Sequence, residues 1–172
     1  MKTNIQTNTC LRSAGMFLSI AFAGLAMAGT LVPFNAAFQG HEVDQPQPPV
    51  GPPQQLLVDG TVTGIATHLG RFTMHYNVTV NNPLGAISPS AGSGQLTAAN
   101  GDIIFTTIIG QGVPADGMPG FAHITEHSTI TGGTGRFAGV QGSFTVDRFV
   151  ELATGLTSGV FQGAITSPGA AQ

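Results

Sequence analysis

The chain has 172 residues, enough for one domain with its own hydrophobic core, and a formal net charge of -3. Charged residues make up 8% and hydrophobic residues 41%, which excludes a charge-driven disordered chain. The acidic balance makes nucleic acid and other polyanions poor partners, while 25 glycines suit a turn-dense β-protein.

Lys2 and Arg12 flank a polar start, and Met16 to Ala28 is then apolar and uncharged, ending in Ala26-Met27-Ala28. A charged start, a short apolar stretch and a small-residue site together predict a secretory signal peptide over 1–28, cut after Ala28. A retained membrane anchor is the alternative. The apolar run can be extended through Leu31, Val32 and Phe34 towards the roughly 20 residues of a span, although Gly24, Gly29 and Pro33 weaken it. Cys10 precedes the apolar stretch, so it is not a lipoprotein cysteine. Cleavage removes the one cysteine and the one lysine, leaving three arginines (Arg71, Arg136, Arg148) against eight carboxylates. The expected product is secreted or periplasmic, has no membrane span, and is held together without disulfides.

Residues 29–55 are expected to form a linker. His41 to Gln55 holds Pro46, Pro48, Pro49, Pro52 and Pro53, which fix φ and remove donors, so the segment should be extended and semi-rigid. It reads as a spacer or as a proline-motif ligand for a partner.

From Leu56 onward the apolar period is two, with frequent turn signals, which predicts an all-β sandwich or barrel over 56–168. A turn at Leu69-Gly70 pairs Thr67 with Phe72, Ile65 with Met74 and Thr63 with Tyr76, with His68 and Arg71 on the rim. Asn77-Val78-Thr79 is a glycosylation sequon inside a strand. Asn81 to Gly92 and Gln111 to Gly117, rich in Pro and Gly, read as loops. Asn100-Gly101 is the strongest hairpin signal, placing Leu96 opposite Phe105 and Ala98 opposite Ile103.

Met118 to Thr131 is a long strand, interrupted near Pro119-Gly120. It contains His123-Ile124-Thr125-Glu126-His127, which matches the H-x-x-E-H pattern of helical zinc sites. On a strand the two histidines lie roughly 13 Å apart, too far for one ion bound at about 2 Å, and Glu126 faces the other way. No metal site is expected there. After a turn at Thr154-Gly155, Leu152 pairs with Thr157, Val150 with Gly159 and Arg148 with Phe161. Phe144, Val146, Val150 and Leu152 then face the core with Phe161 and Ile165.

Between the last two hairpins lies Gly132-Gly133-Thr134-Gly135-Arg136-Phe137-Ala138-Gly139. Its spacing misses the G-x-G-x-x-G phosphate pattern by one residue, and no helix start follows, so a sharp glycine turn is expected. This stretch resembles the glycine-rich corner of plant dirigent proteins and allene oxide cyclases. Thr67-His68-Leu69-Gly70-Arg71-Phe72 and Phe161 to Ile165 are similar to bacterial exported proteins of the same group. The resemblance implies a single antiparallel eight-stranded barrel with an apolar cavity, preceded here by the signal peptide and linker, and a homotrimer as the assembly. In the family, dirigent proteins steer radical coupling or cyclise quinone methides, and allene oxide cyclases close the ring of a fatty-acid epoxide. It implies a cofactor-independent cyclase or isomerase if this chain is an enzyme.

Strand parity gives three candidate lumen residues. Tyr76 shares a face with Phe72, Met74 and Val78, Glu126 with Ala122, Ile124 and Ile130, and Arg148 with Val146 and Val150. Buried charges need partners, so Glu126 and Arg148 are expected to pair. The cluster reads as a structural ion pair or as the polar part of a pocket for a small apolar ligand. No catalytic residue can be assigned: G-x-S-x-G is absent and the mature chain has no thiol. Two functions follow, a secreted ligand-binding barrel or a non-catalytic structural or interaction protein of the cell envelope or extracellular matrix. An open lumen favours the first and a filled lumen the second.

Overall fold

The computed structural model describes residues 29–169. Its strands are β1 (Leu31–Gln47), β2 (Gln55–Ala66), β3 (Gly70–Asn81), β4 (Ser88–Ala98), β5 (Ile103–Pro114), β6 (Phe121–Gly133), β7 (Gly142–Glu151) and β8 (Leu156–Thr166). Each pairs antiparallel with the next, and β1 closes the ring against β8. The expected all-β, eight-stranded antiparallel barrel is therefore the observed fold. Closure leaves no strand edge open for pairing with another chain. A single 3-10 turn, Gly135–Phe137, is the helical element among the described residues.

The signal peptide expected over 1–28 lies outside the described residues. The linker expected over 29–55 is corrected, because β1 occupies most of it and is the longest strand, with 17 residues. Phe34, Ala36, Phe38 and Glu42 alternate inward along it and are buried. It supplies the ladder to both β2 and β8, which would otherwise be open edges. Proline density masks the alternation. The remaining connection, 48–54, holds four of the prolines and is the only part that matches the expected spacer.

The two barrel ends differ. At one end the lumen is filled by Phe34, Phe38, Phe72, Phe144 and Phe161. Phe144 and Phe161 lie 4.6 Å apart between ring centroids, and Phe34 meets Phe144 edge-on at 5.5 Å. Leu69 from the β2–β3 turn and Phe137 from the 3-10 turn fold inward and seal that end.

Three expected registers are corrected. At β2–β3 the pairs are Gly64 with Phe72 and Val62 with Met74, so Val62 and Ala66 face the core and Ile65 faces solvent. Size decides this parity: a side chain at Gly64 would strike the Phe72 ring and the Ala37 carbonyl. At β4–β5 Leu96 pairs with Ile104, one position off, because the connection spans Ala98 to Asp102, with Gly101 at φ 88°. At β7–β8 the shift is two positions: Val150 pairs with Thr157 and Arg148 with Gly159. A two-residue shift preserves the faces, so Phe144, Val146, Val150, Phe161 and Ile165 are core as expected, while Leu152 is exposed in the turn. The loops expected over 81–92 and 111–117 are shorter, since Ser88 to Gly92 pairs with Ile108 to Gly112. Ladders on both sides of β4 override its poor local strand propensity.

The glycine cluster forms the expected sharp corner. Gly135 and Gly139 hold φ of 54° and 75°. A side chain at Gly135 would also strike the Asp102 carboxylate, which accepts the Arg136 backbone N–H at 3.3 Å and lies 3.7 Å from Arg136 Nε. Gly135→Val should destabilise the fold by about 1 kcal/mol or more. An unchanged melting temperature would refute this account of the corner.

Candidate functional site

The other end of the barrel is open. There the lumen holds a cavity of about 250 Å³ with apolar walls that include Val58, Val78, Ile124 and Val150. Its floor is a layer of polar side chains, each projected inward by a different strand. Arg148 (β7) lies at the centre and is 5% exposed. Its Nη1 donates to Glu42 Oε2 (β1) at 2.7 Å and to Thr157 Oγ1 (β8) at 3.2 Å. Its Nε donates to Glu126 Oε2 (β6) at 3.2 Å. Tyr76 (β3) donates its hydroxyl to the same Glu42 oxygen at 2.7 Å, and its ring centroid lies 5.2 Å from the guanidinium carbon.

Inward glycines make room for this layer. Tyr76 pairs with Gly60 on one side and Gly94 on the other, and a side chain at Gly60 would enter the Tyr76 ring. Gly110 pairs with Glu126 and Gly159 with Arg148, and a Cβ at either would collide with its partner's side chain and backbone. A barrel of fixed circumference can hold large polar groups in one layer only if their neighbours have no side chain.

Burial pushes the Tyr76 phenol well above its usual range, and the nearby carboxylates add to the shift against the opposing pull of Arg148. The hydroxyl therefore stays a donor at any physiological pH. For Arg148, burial works against the charge, but Glu126, Tyr76 and Glu42 outweigh it and raise the pKa, so the guanidinium remains charged. The layer can thus present fixed donors, a permanent cation and acceptor oxygens to one enclosed space.

Asp44 lies at the rim of the cavity. Desolvation, and then repulsion from Glu42, raise its pKa above the ordinary 3.8, with Arg148 opposing. The folded state therefore holds the Asp44 proton more tightly than the unfolded chain, so stability falls as pH rises from 3.8 through the raised value. Asp44→Asn should raise the neutral-pH melting temperature, and the gain should vanish below pH 3.8. A gain that persists in acid would refute this assignment.

Tyr76, Glu126 and Arg148, the three lumen candidates, converge in the layer. Glu42 and Thr157 join them without having been expected there. Glu42 continues the inward alternation of Phe34, Ala36 and Phe38, a signal hidden by the linker reading; Thr157 has no comparable sequence signal. His68 and Arg71 are exposed at the sealed end, away from the cavity. On β6, His123 and His127 face outward: His123 Nε2 lies 3.0 Å from Asp147 Oδ1 and stacks on Phe149. Among the described residues no group of three His, Cys, Asp or Glu is placed to hold a metal ion.

The fold defined by this architecture is a dirigent-like β-barrel. The structure is similar to that of the pterocarpan synthase dirigent protein PsPTS1, with a TM-score of 0.53 and 13% sequence identity over 80% of this chain and 95% of that one. At that identity the likeness is one of fold. No protein-family model matches the sequence, and no curated protein matches it.

Proposed function

We propose that this is an exported barrel of the allene oxide cyclase/dirigent-like class that binds a small apolar ligand at the open end of its lumen. The observation that carries this reading is a cavity of about 250 Å³ with apolar walls above a buried, hydrogen-bonded polar floor. Ligand sites combine such walls with a few convergent polar groups, and this volume, just below the usual range of about 300–1,000 Å³, suits a small ligand. The reading extends to a cofactor-independent cyclase or isomerase activity, because the Arg148 guanidinium and the Glu126 carboxylate both line the cavity. Export rests on the leader pattern of 1–28, and N-terminal sequencing of protein from outside the cytoplasm tests it, an intact Met1 counting against it.

Titration with the smaller neutral apolar dye prodan tests lumen binding. Wild type should bind, and Ile124→Trp, which puts an indole across the cavity, should weaken binding at least about tenfold with the melting temperature retained. Equal binding by both proteins would place the dye outside the lumen and remove the support for this reading. The second reading, a non-catalytic structural or interaction protein, is favoured by apolar side chains on the outer wall. Ile65 and Ile109 are 66% and 62% exposed.

A further inference from the structure

Resting on the lumen-binding reading above, we propose that the ligand is a hydrophobic amine, bound as its ammonium ion between Ser90 and Glu126. Two observations carry this, one of charge and one of unused hydrogen-bonding capacity.

The cavity lining contains three carboxylates, Glu42, Asp44 and Glu126, and one basic side chain, Arg148. One guanidinium against three carboxylates leaves a formal excess of two negative charges. Arg148 is already committed, with Nη1 on Glu42 and Thr157 and Nε on Glu126. A carboxylate ligand entering here meets a net excess of like charge in a partly desolvated space, and the one guanidinium there already serves Glu42 and Glu126. A cation meets the opposite field.

Ser128 Oγ is unpartnered among the described residues, deeper in the core, but within the cavity lining the unused capacity lies on one wall. Glu126 is 5% exposed, and its Oε1 accepts no hydrogen bond from any described residue. Ser90 is 9% exposed, and its Oγ is also without a partner among the described residues. Both line the cavity. Register puts them in one row: Ser90 pairs with Gly110 and Gly110 with Glu126, so they sit on alternate strands, both facing inward. Two strand spacings set their Cα atoms roughly 10 Å apart, and Gly110 lets the Glu126 side chain pack over the strand between them. Any Cβ at Gly110 would strike Glu126 Cγ and the β6 backbone. Buried acceptors without donors are costly, and an ammonium group supplies three donors and no acceptor. Its N–H groups can reach Glu126 Oε1 and Ser90 Oγ while the apolar body lies against Val58, Val78 and Ile124.

Three ligands of one shape separate the outcomes: benzylamine, benzyl alcohol and benzoate, titrated calorimetrically at neutral pH into the full barrel. Benzylamine should bind at least about tenfold more tightly than benzyl alcohol, and benzoate should show no binding. Ser90→Ala should weaken benzylamine binding several-fold while leaving the melting temperature unchanged or higher, because Ser90 Oγ supports nothing in the fold. Glu126→Gln should abolish the preference for the amine over the alcohol. Alcohol or benzoate binding as tightly as the amine would overturn the amine assignment and leave the lumen-binding reading standing. Benzylamine affinity unchanged in both variants would overturn it in the same way. If none of the three binds and prodan does not bind either, both the assignment and the lumen-binding reading fall.

Discussion

Arg148→Met is expected to lower the unfolding free energy by about 3–5 kcal/mol, read from denaturant titration. The substitution keeps much of the side-chain volume, so packing changes little. What changes is charge: Glu42 and Glu126, 7% and 5% exposed, are left buried without their cation. Breaking a buried pair costs more than the pair contributes, because the survivor cannot return to water. The variant Arg148→Met/Glu42→Gln/Glu126→Gln should therefore recover much of the loss. In the simpler cycle of Arg148→Met with Glu126→Gln, the double variant should be more stable than the sum of the singles implies. Strict additivity in that cycle, together with no recovery in the triple variant, would show that the layer is not coupled.

The second large effect lies at the sealed end. Phe161→Ala should destabilise the barrel by about 3–5 kcal/mol. Phe161 is 1% exposed, and its ring centroid lies 5.0 Å from Phe34, 5.8 Å from Phe72 and 4.6 Å from Phe144. Removing the ring leaves a void bounded by three other rings that are themselves fixed by strand pairing, so collapse around it is limited. A loss below about 1.5 kcal/mol would mean that this end is loosely packed.

Strand parity makes much of the barrel legible, and turn chemistry makes less of it so. Tyr76, Glu126 and Arg148 read as inward because each interrupts an apolar alternation, and parity survives any register error of two. That is why the shift at β7–β8 does no harm, whereas the errors of one and three at the other hairpins turn Phe105 and Ile65 the wrong way. The β2 error has a physical source: the inward positions there include Gly60 and Gly64, so the inner face reads as the less hydrophobic one. A face can be internal because it is small as well as because it is greasy. Glu42 escapes a sequence reading for a different reason. Prolines at 46, 48, 49, 52 and 53 dominate the composition of its neighbourhood, while the strand preceding them carries only a weak alternating signal. The socket formed by Ser90 and Glu126 depends on the pairing of both with Gly110, a relation across three strands that periodicity within one strand cannot express.

Glu42 and Arg148 are 106 residues apart in the chain, and they meet only where β1 joins β8. Glu42 therefore meets the guanidinium only when β1 has closed against β8. Until then Glu42 remains hydrated, and the guanidinium has only part of its counter-charge. Sealing the seam and pairing Glu42 with Arg148 are the same event. Slow, non-local closure of this kind is characteristic of β-topologies rich in distant contacts. A barrel caught before that event has an unlatched seam, two free sheet edges and no formed binding floor, so ligand competence reports on completion of the ring.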